Sequence, residues 1–190
     1  MNCYCSLLAV VAAISIFSSL ARAQETNSYP RSNLEAFEAT TGIVLIRSVQ
    51  DIGDIAAKTG GVTVRVREAR DPGANRREFG VAIIVTQAQG SEDTTVVDYD
   101  ELDALIHGTD YVIKADWSLT SLNHFEAAYL TRSGFKVATY SSNRSGLIEA
   151  FVLSNRLLRC RSSLTMDQLV RFRVLLEQAK AKIEILQREK

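Results

Sequence analysis

The chain has 190 residues, 46% of them apolar, and its 22 basic residues balance 22 acidic ones. That length suits one domain with a sizeable core and no need of disulfide staples. The weak field argues against a dedicated nucleic-acid binder, whose domain is ordinarily clearly basic, and against a polybasic membrane-surface protein.

Residues 1–23 read as a cleavable secretion signal. Ser6 to Leu20 carries no charge. It falls short of the roughly 20 apolar residues that a membrane span needs. Ala21-Arg22-Ala23 follows as a small-x-small cleavage site, and the next residue is Gln24, not a lipoprotein cysteine. Cleavage removes Arg22 alone among the charges and leaves 167 residues, 21 basic and 22 acidic, at net −1. The expected destination is the periplasm or the medium, with no membrane span in the mature chain. Cys3 and Cys5 leave with the signal, so Cys160 has no intramolecular partner. Arg156, Arg159 and Arg161 stand near it, and positive neighbours lower a thiol pKa where they point at it. A buried, inert side chain is the favoured reading, because free cysteine is among the most buried residue types.

Residues 24–41 are expected as a flexible leader, most clearly over the polar 24–33. A single α+β domain is expected over 42–190. Gly42 to Ser48 is a short β-branched run, and Val62 to Glu68 alternates Val62, Val64 and Val66 with Thr63, Arg65 and Arg67, a half-buried strand. Asp71-Pro72-Gly73 predicts a turn, with Pro setting φ and Gly accepting positive φ. Strands are expected over Phe79 to Gln87 and, after a turn at Gly90, over Thr94 to Val97. Asp98 and Glu101 have capping-box spacing and predict a helix to about Ala115, with Leu102, Leu105, Ile106, Val112 and Ile113 as its apolar stripe and Gly108 as a weak point. Leu122 to Thr131 and Phe135 to Ser141 predict a hairpin around Arg132-Ser133-Gly134. Leu147 to Leu153 predicts another strand, followed by an irregular arginine-containing stretch. Thr165 and Gln168 make a second capping box. Leu169, Phe172, Leu176, Ala179, Ile183 and Leu186 then form a long amphipathic stripe, expected to pack on the domain's own sheet rather than on a second chain.

An offset of 67 residues places Asp98 on Thr165, Asp100 on Asp167, Glu101 on Gln168, Leu102 on Leu169 and Leu105 on Phe172. It also places Val81–Val85 on Ile148–Val152, while the register blurs upstream. The fold class that follows is α+β: antiparallel sheet, two packed helices, and duplicated ββββα units over 42–115 and 116–190.

This element order, over residues 42–189, resembles the tandem four-strands-plus-helix layout of Whirly and PUR-alpha-like single-stranded nucleic-acid binders. The resemblance implies a sheet face where aromatic side chains stack bases and basic ones track phosphates. The candidates for such a ligand face are Arg65, Arg67, Phe125, Tyr129 and Tyr140. No nucleic-acid motif accompanies the layout, and an exported, nearly neutral chain departs from those intracellular binders. The chain also has the general look of small bacterial secreted domains of unassigned function.

No motif compels a reaction. His107 and His124 lack metal-ligand spacing and are expected in structural or surface roles. Asp98, Asp100, Glu101 and Asp103 lack the glycine and downstream glutamate of a calcium loop and suit a first helical turn. Gly60-Gly61 opens no phosphate loop, no Gly-x-Ser-x-Gly elbow exists, and no cofactor or metal is implied. Asn143-Arg144-Ser145 matches a glycosylation sequon. The expectation is a secreted or periplasmic, non-enzymatic binding or interaction module, with a protein partner or self-association ahead of nucleic acid. A single-stranded nucleic-acid binder and a hydrolase with an unrecognised site are the alternatives.

Overall fold

The computed structural model describes residues 31–141 and 146–189. The signal expected over 1–23 and the Asn143 sequon lie outside the described residues. Alternating β-branched residues build the first sheet. β1 (Ile46–Ala57), β2 (Gly60–Asp71), β3 (Arg76–Gln87) and β4 (Glu92–Asp98) form an antiparallel meander in chain order. Val62, Val64 and Val66 of β2 and Val81, Ile83 and Val85 of β3 share one face and are buried. The hairpin between β2 and β3 differs from the expectation in one respect. Asp71 Oδ1 accepts from the amides of Gly73 at 2.9 Å and Ala74 at 3.3 Å, and the left-handed residue is Asn75, at φ 52°, rather than Gly73.

The leader expected to be flexible over 24–41 contains a helix. α1 (Asn33–Glu38) buries Leu34 and Phe37 against Ala69, Ala82 and Val96 on the other face of the first sheet. Two apolar side chains spaced three apart are too few to stand out as a periodic pattern, yet they suffice because small residues on the strands let α1 sit close. Ser32 Oγ caps the amide of Glu35 at 3.1 Å. Asp98 completes the end: its Oδ2 accepts from the amide of Asn33 at 2.7 Å and its Oδ1 from that of Leu34 at 3.1 Å. Asp98 therefore does not form the expected capping box with Glu101; a 3₁₀ turn over Tyr99–Glu101 leads into α2 (Leu102–Lys114) with no side-chain cap.

The second sheet repeats the meander with shorter strands: β5 (Phe125–Leu130), β6 (Lys136–Ser141), β7 (Glu149–Ser154) and β8 (Cys160–Leu164). Gly134 takes φ 93° in the β5–β6 turn, as its place there requires. β8 corrects the expected irregular stretch: Cys160, Ser162 and Leu164 point inward and Arg161 and Ser163 outward. α3 (Met166–Arg188) starts on the full capping box of Thr165 and Gln168, and Leu169, Phe172, Leu176, Ala179 and Ile183 are buried.

Each helix covers the other unit's sheet. α2 packs on β5 and β6, α3 packs on β1 and β2, and the two helices touch each other. One core results, with Val64, Ile83, Leu105, Phe135, Val152 and Phe172 among its members. The rings of Phe135 and Phe172 meet at 5.6 Å. A buried polar seam ties the units together. Thr95 and Ser154 hydroxyls lie 2.6 Å apart, and Asp93 accepts from Ser154 Oγ at 2.9 Å and from the amides of Arg156 at 2.7 Å and Leu157 at 3.1 Å. The chain is thus an α+β protein of two similar four-stranded antiparallel units. No helix among the described residues is long and apolar enough to cross a membrane.

Candidate binding surface

The five residues expected on one ligand face lie on three surfaces. Arg65 and Arg67 are on the α1 side of the first sheet and are both engaged. Arg65 Nε is 2.5 Å from Asp51 Oδ1, and Arg67 Nη2 is 2.7 Å from each carboxylate oxygen of Glu38. Phe125 and Tyr129 point inward from β5. Phe125 meets Trp117 edge-on at 4.9 Å, and Tyr129 packs against the core over Gly108. Burial, and the nearby Glu101 carboxylate, raise the Tyr129 phenol above its usual pKa. Only Tyr140 stands on the outer face of the second sheet.

That outer face is built in rows by the strand register. Leu130, Lys136, Leu153 and Arg161 form one row, and Ala128, Ala138, Phe151 and Ser163 the next. Glu126, Tyr140 and Glu149 complete it. The Arg161 guanidinium lies 3.9 Å from the Phe151 ring centre and 5.3 Å from that of Tyr140. Lys136 Nζ is 5.5 Å from the Phe151 centre, and Tyr140 meets Phe151 edge-on at 5.7 Å. Lys136 pairs with Glu126, and the Tyr140 hydroxyl donates to Glu149. That bond to Glu149, followed by burial, raises the Tyr140 phenol pKa, while Arg161 pulls it back. Leu130 is 64% exposed beside this stack, and Leu157 and Leu158 of the β7–β8 loop are 66% and 63% exposed. Phe151 and Arg161 escaped sequence reading because their meeting depends on β8. The only signal was apolar Cys160 and Leu164 four residues apart, and polar Ser162 between them hid the alternation in burial.

A cleft of 500 Å³ opens where the β2–β3 hairpin meets the last turn of α3, lined by Arg70, Asn75, Arg77, Phe79, Gln187 and Glu189. Its central cation is already held: Arg77 Nε is 2.7 Å from Glu68 Oε1, and Arg77 Nη1 donates to the Glu189 carbonyl at 3.1 Å. The cleft brings together no nucleophile with a base.

Elsewhere the reactive residue types are separated or tied down. His107 and His124 are exposed, on α2 and just before β5. The acidic cluster is divided among structural partners. Asp98 holds α1, Asp100 Oδ1 and Glu101 Oε2 take Arg132 at 2.6 and 3.3 Å, and Asp103 takes Lys180 at 2.6 Å. Among the described residues no three His, Cys, Asp or Glu side chains gather as metal ligands do. Cys160 is buried, and burial together with Asp93 and Glu92 raises its thiol pKa; the nearby arginines do not lower it. Comparison with protein-family models and with curated proteins finds no match for the chain.

Proposed function

We propose that this protein is a secreted or periplasmic, non-enzymatic interaction module that takes a protein partner on the outer face of its second sheet. The observation behind this reading is the stack of Arg161 and Lys136 over Phe151 and Tyr140, bordered by exposed Leu130. Arginine and aromatic side chains are the residue types enriched where proteins bind tightly. Stacking holds the Arg161 fork in place before binding, which lowers the entropy lost on association. Glu126 and Glu149 on the same face favour a mixed-charge protein surface over a polyanion.

A second reading is carried by the same stack and by the Whirly and PUR-alpha-like element order: a single strand of nucleic acid with bases on Tyr140 and phosphates on Arg161 and Lys136. A thermal-shift screen of peptides and single-stranded oligonucleotides separates the two. A ligand that binds only the folded chain, at a hundredfold excess over its Kd, adds about 2.7 kcal/mol of stability. The expected result is a peptide-induced shift that Arg161→Glu abolishes. An oligonucleotide shift that collapses steeply with salt would install the second reading. Shifts that survive Arg161→Glu would remove this face from both.

A further inference from the structure

The free margin of the first sheet carries a pattern that the binding surface does not use. β1 pairs with β2 alone among the described strands, so over residues 46–51 its other edge has no strand beside it; further along, Gln168 Nε2 donates to the Ala56 carbonyl at 2.8 Å. Residues 46–51 are exposed, and Val49 is 59% exposed, while Val66 and Ala69 of neighbouring β2 are buried. Open edges recruit further strands unless they are short, bulged, or blocked by proline or lysine. Residues 46–52 contain neither, and the bulge comes only at their end, where the register shifts between Asp51 and Gly53.

The sequence of this edge is Ile46-Arg47-Ser48-Val49-Gln50-Asp51-Ile52. Read from either end it presents the same order: branched apolar, charged, small or amide polar, and Val49 at the centre. The charges at the mirrored positions are opposite. Laid antiparallel on a second copy of itself with Val49 on the two-fold axis, the segment places each Arg47 opposite the other copy's Asp51. Ser48 then faces Gln50 and Ile46 faces Ile52. Directly opposite residues of an antiparallel pair share a face, so these are contacts between side chains. The existing partners reinforce them: Arg65 already lies 2.5 Å from Asp51, and Arg47 Nε lies 3.8 Å from Glu38. Other registers lose the match. An axis through Arg47 or Asp51 sets like charges face to face, and an axis through Ser48 or Gln50 sets a charge against an apolar side chain or glycine.

We propose that two copies of this chain associate edge to edge through β1, antiparallel and with Val49 on the axis, joining their first sheets into one eight-stranded sheet. The second-sheet face takes no part, so this inference is independent of the function proposed above.

Sedimentation equilibrium of residues 24–190, which hold every described residue, tests it across micromolar to near-millimolar protein. The expected wild-type result is a two-chain mass that dissociates on dilution. Val49→Glu sets like charges on the axis and weakens association on the order of a hundredfold. Within its own chain the new carboxylate stands opposite Arg67, so circular dichroism and melting stay as in wild type. Val49→Lys alone is weakened in the same way, and an equal mixture of the two variants recovers the two-chain mass because opposite charges now meet. A wild type that stays single at every concentration overturns the proposal. So does a Val49→Glu chain that pairs as tightly as wild type, or a mixture that fails to recover.

Discussion

Replacing Asp98 with alanine is expected to loosen α1 rather than α2. The carboxylate takes the amides of Asn33 at 2.7 Å and Leu34 at 3.1 Å, and the second of these bonds is buried. A hydrogen bond to a charged acceptor contributes roughly 1.5–3 kcal/mol net. With both bonds at the lower end of that range, because Asn33 stays within reach of water, the loss is about 3 kcal/mol. For a chain of this size that lowers the melting midpoint by about 6–12 °C. Loss of an ordinary helix N-cap costs only about 1 kcal/mol. Urea unfolding supplies the total, and amide hydrogen exchange supplies the location. Exchange at Asn33 and Leu34 should rise toward unprotected rates while Leu105 and Ile106 keep their protection. A loss near 1 kcal/mol, with faster exchange at the start of α2 and an intact α1, would refute this assignment and restore Asp98 as the α2 cap.

Gly108→Ala drives a Cβ into the ring of Tyr129 and should cost about 1–3 kcal/mol of stability, a penalty that disappears in a Tyr129→Ala background; an additive pair in the double-mutant cycle would contradict it. Ser162 Oγ is buried with no hydrogen-bond partner among the described residues, so Ser162→Ala should raise stability by about 1 kcal/mol in urea titration, and a loss of that size would show that the hydroxyl has a role in the fold. The Tyr140 phenol should ionise above its usual value of 10.0 in a spectroscopic titration, with Glu149→Gln bringing it down and Arg161→Ala pushing it up. Because its folded-state pKa is raised, the associated stability is present in full below the unfolded pKa and is lost as pH rises through the folded one. Residues 31–115 alone lack α3 over Val62, Val64 and Val66, and should show no cooperative melt; a sharp transition in that fragment would mean that the units fold separately.

Much of the architecture was legible in the sequence because its signals were local. The valine alternation of β2, the Thr165–Gln168 capping box and the stripe of α3 all appear where pattern and period placed them. The misses share a different cause: each is fixed by something distant in the chain. Asp98 has capping spacing with Glu101, but α1 offers it two amides from 64 and 65 residues away. Glu101 in turn takes the amide of Arg132 at 2.8 Å. Arg65 and Arg67 read as a free basic face because Asp51 and Glu38 are neighbours only across strands and in α1. Gly108 looked like a flaw in a helix and is the place where Tyr129 of β5 comes closest. The aromatic stack was the least legible of all, since Phe151 and Arg161 meet only through the pairing of β7 with β8.

The blurred repeat has a physical explanation in the exchanged helices. The 67-residue offset carries β4 onto β8 and α2 onto α3, but β1, β2 and β3 have 12 residues each where β5, β6 and β7 have 6. At about 3.4 Å per residue the longer strands extend roughly 40 Å and the shorter roughly 20 Å. At about 1.5 Å per residue, the 23 residues of α3 cover roughly 34 Å and the 13 of α2 roughly 20 Å. Each helix therefore matches the sheet it covers and not the sheet it follows in the chain. A long first sheet capped by its own short helix would leave half of its valine face in water. With the helices exchanged, longer strands in one unit call for a longer helix in the other, so the core stays closed although the two halves differ in element length. The constant 67-residue offset is lost upstream of β3 for that reason, although the plan of the two units is the same.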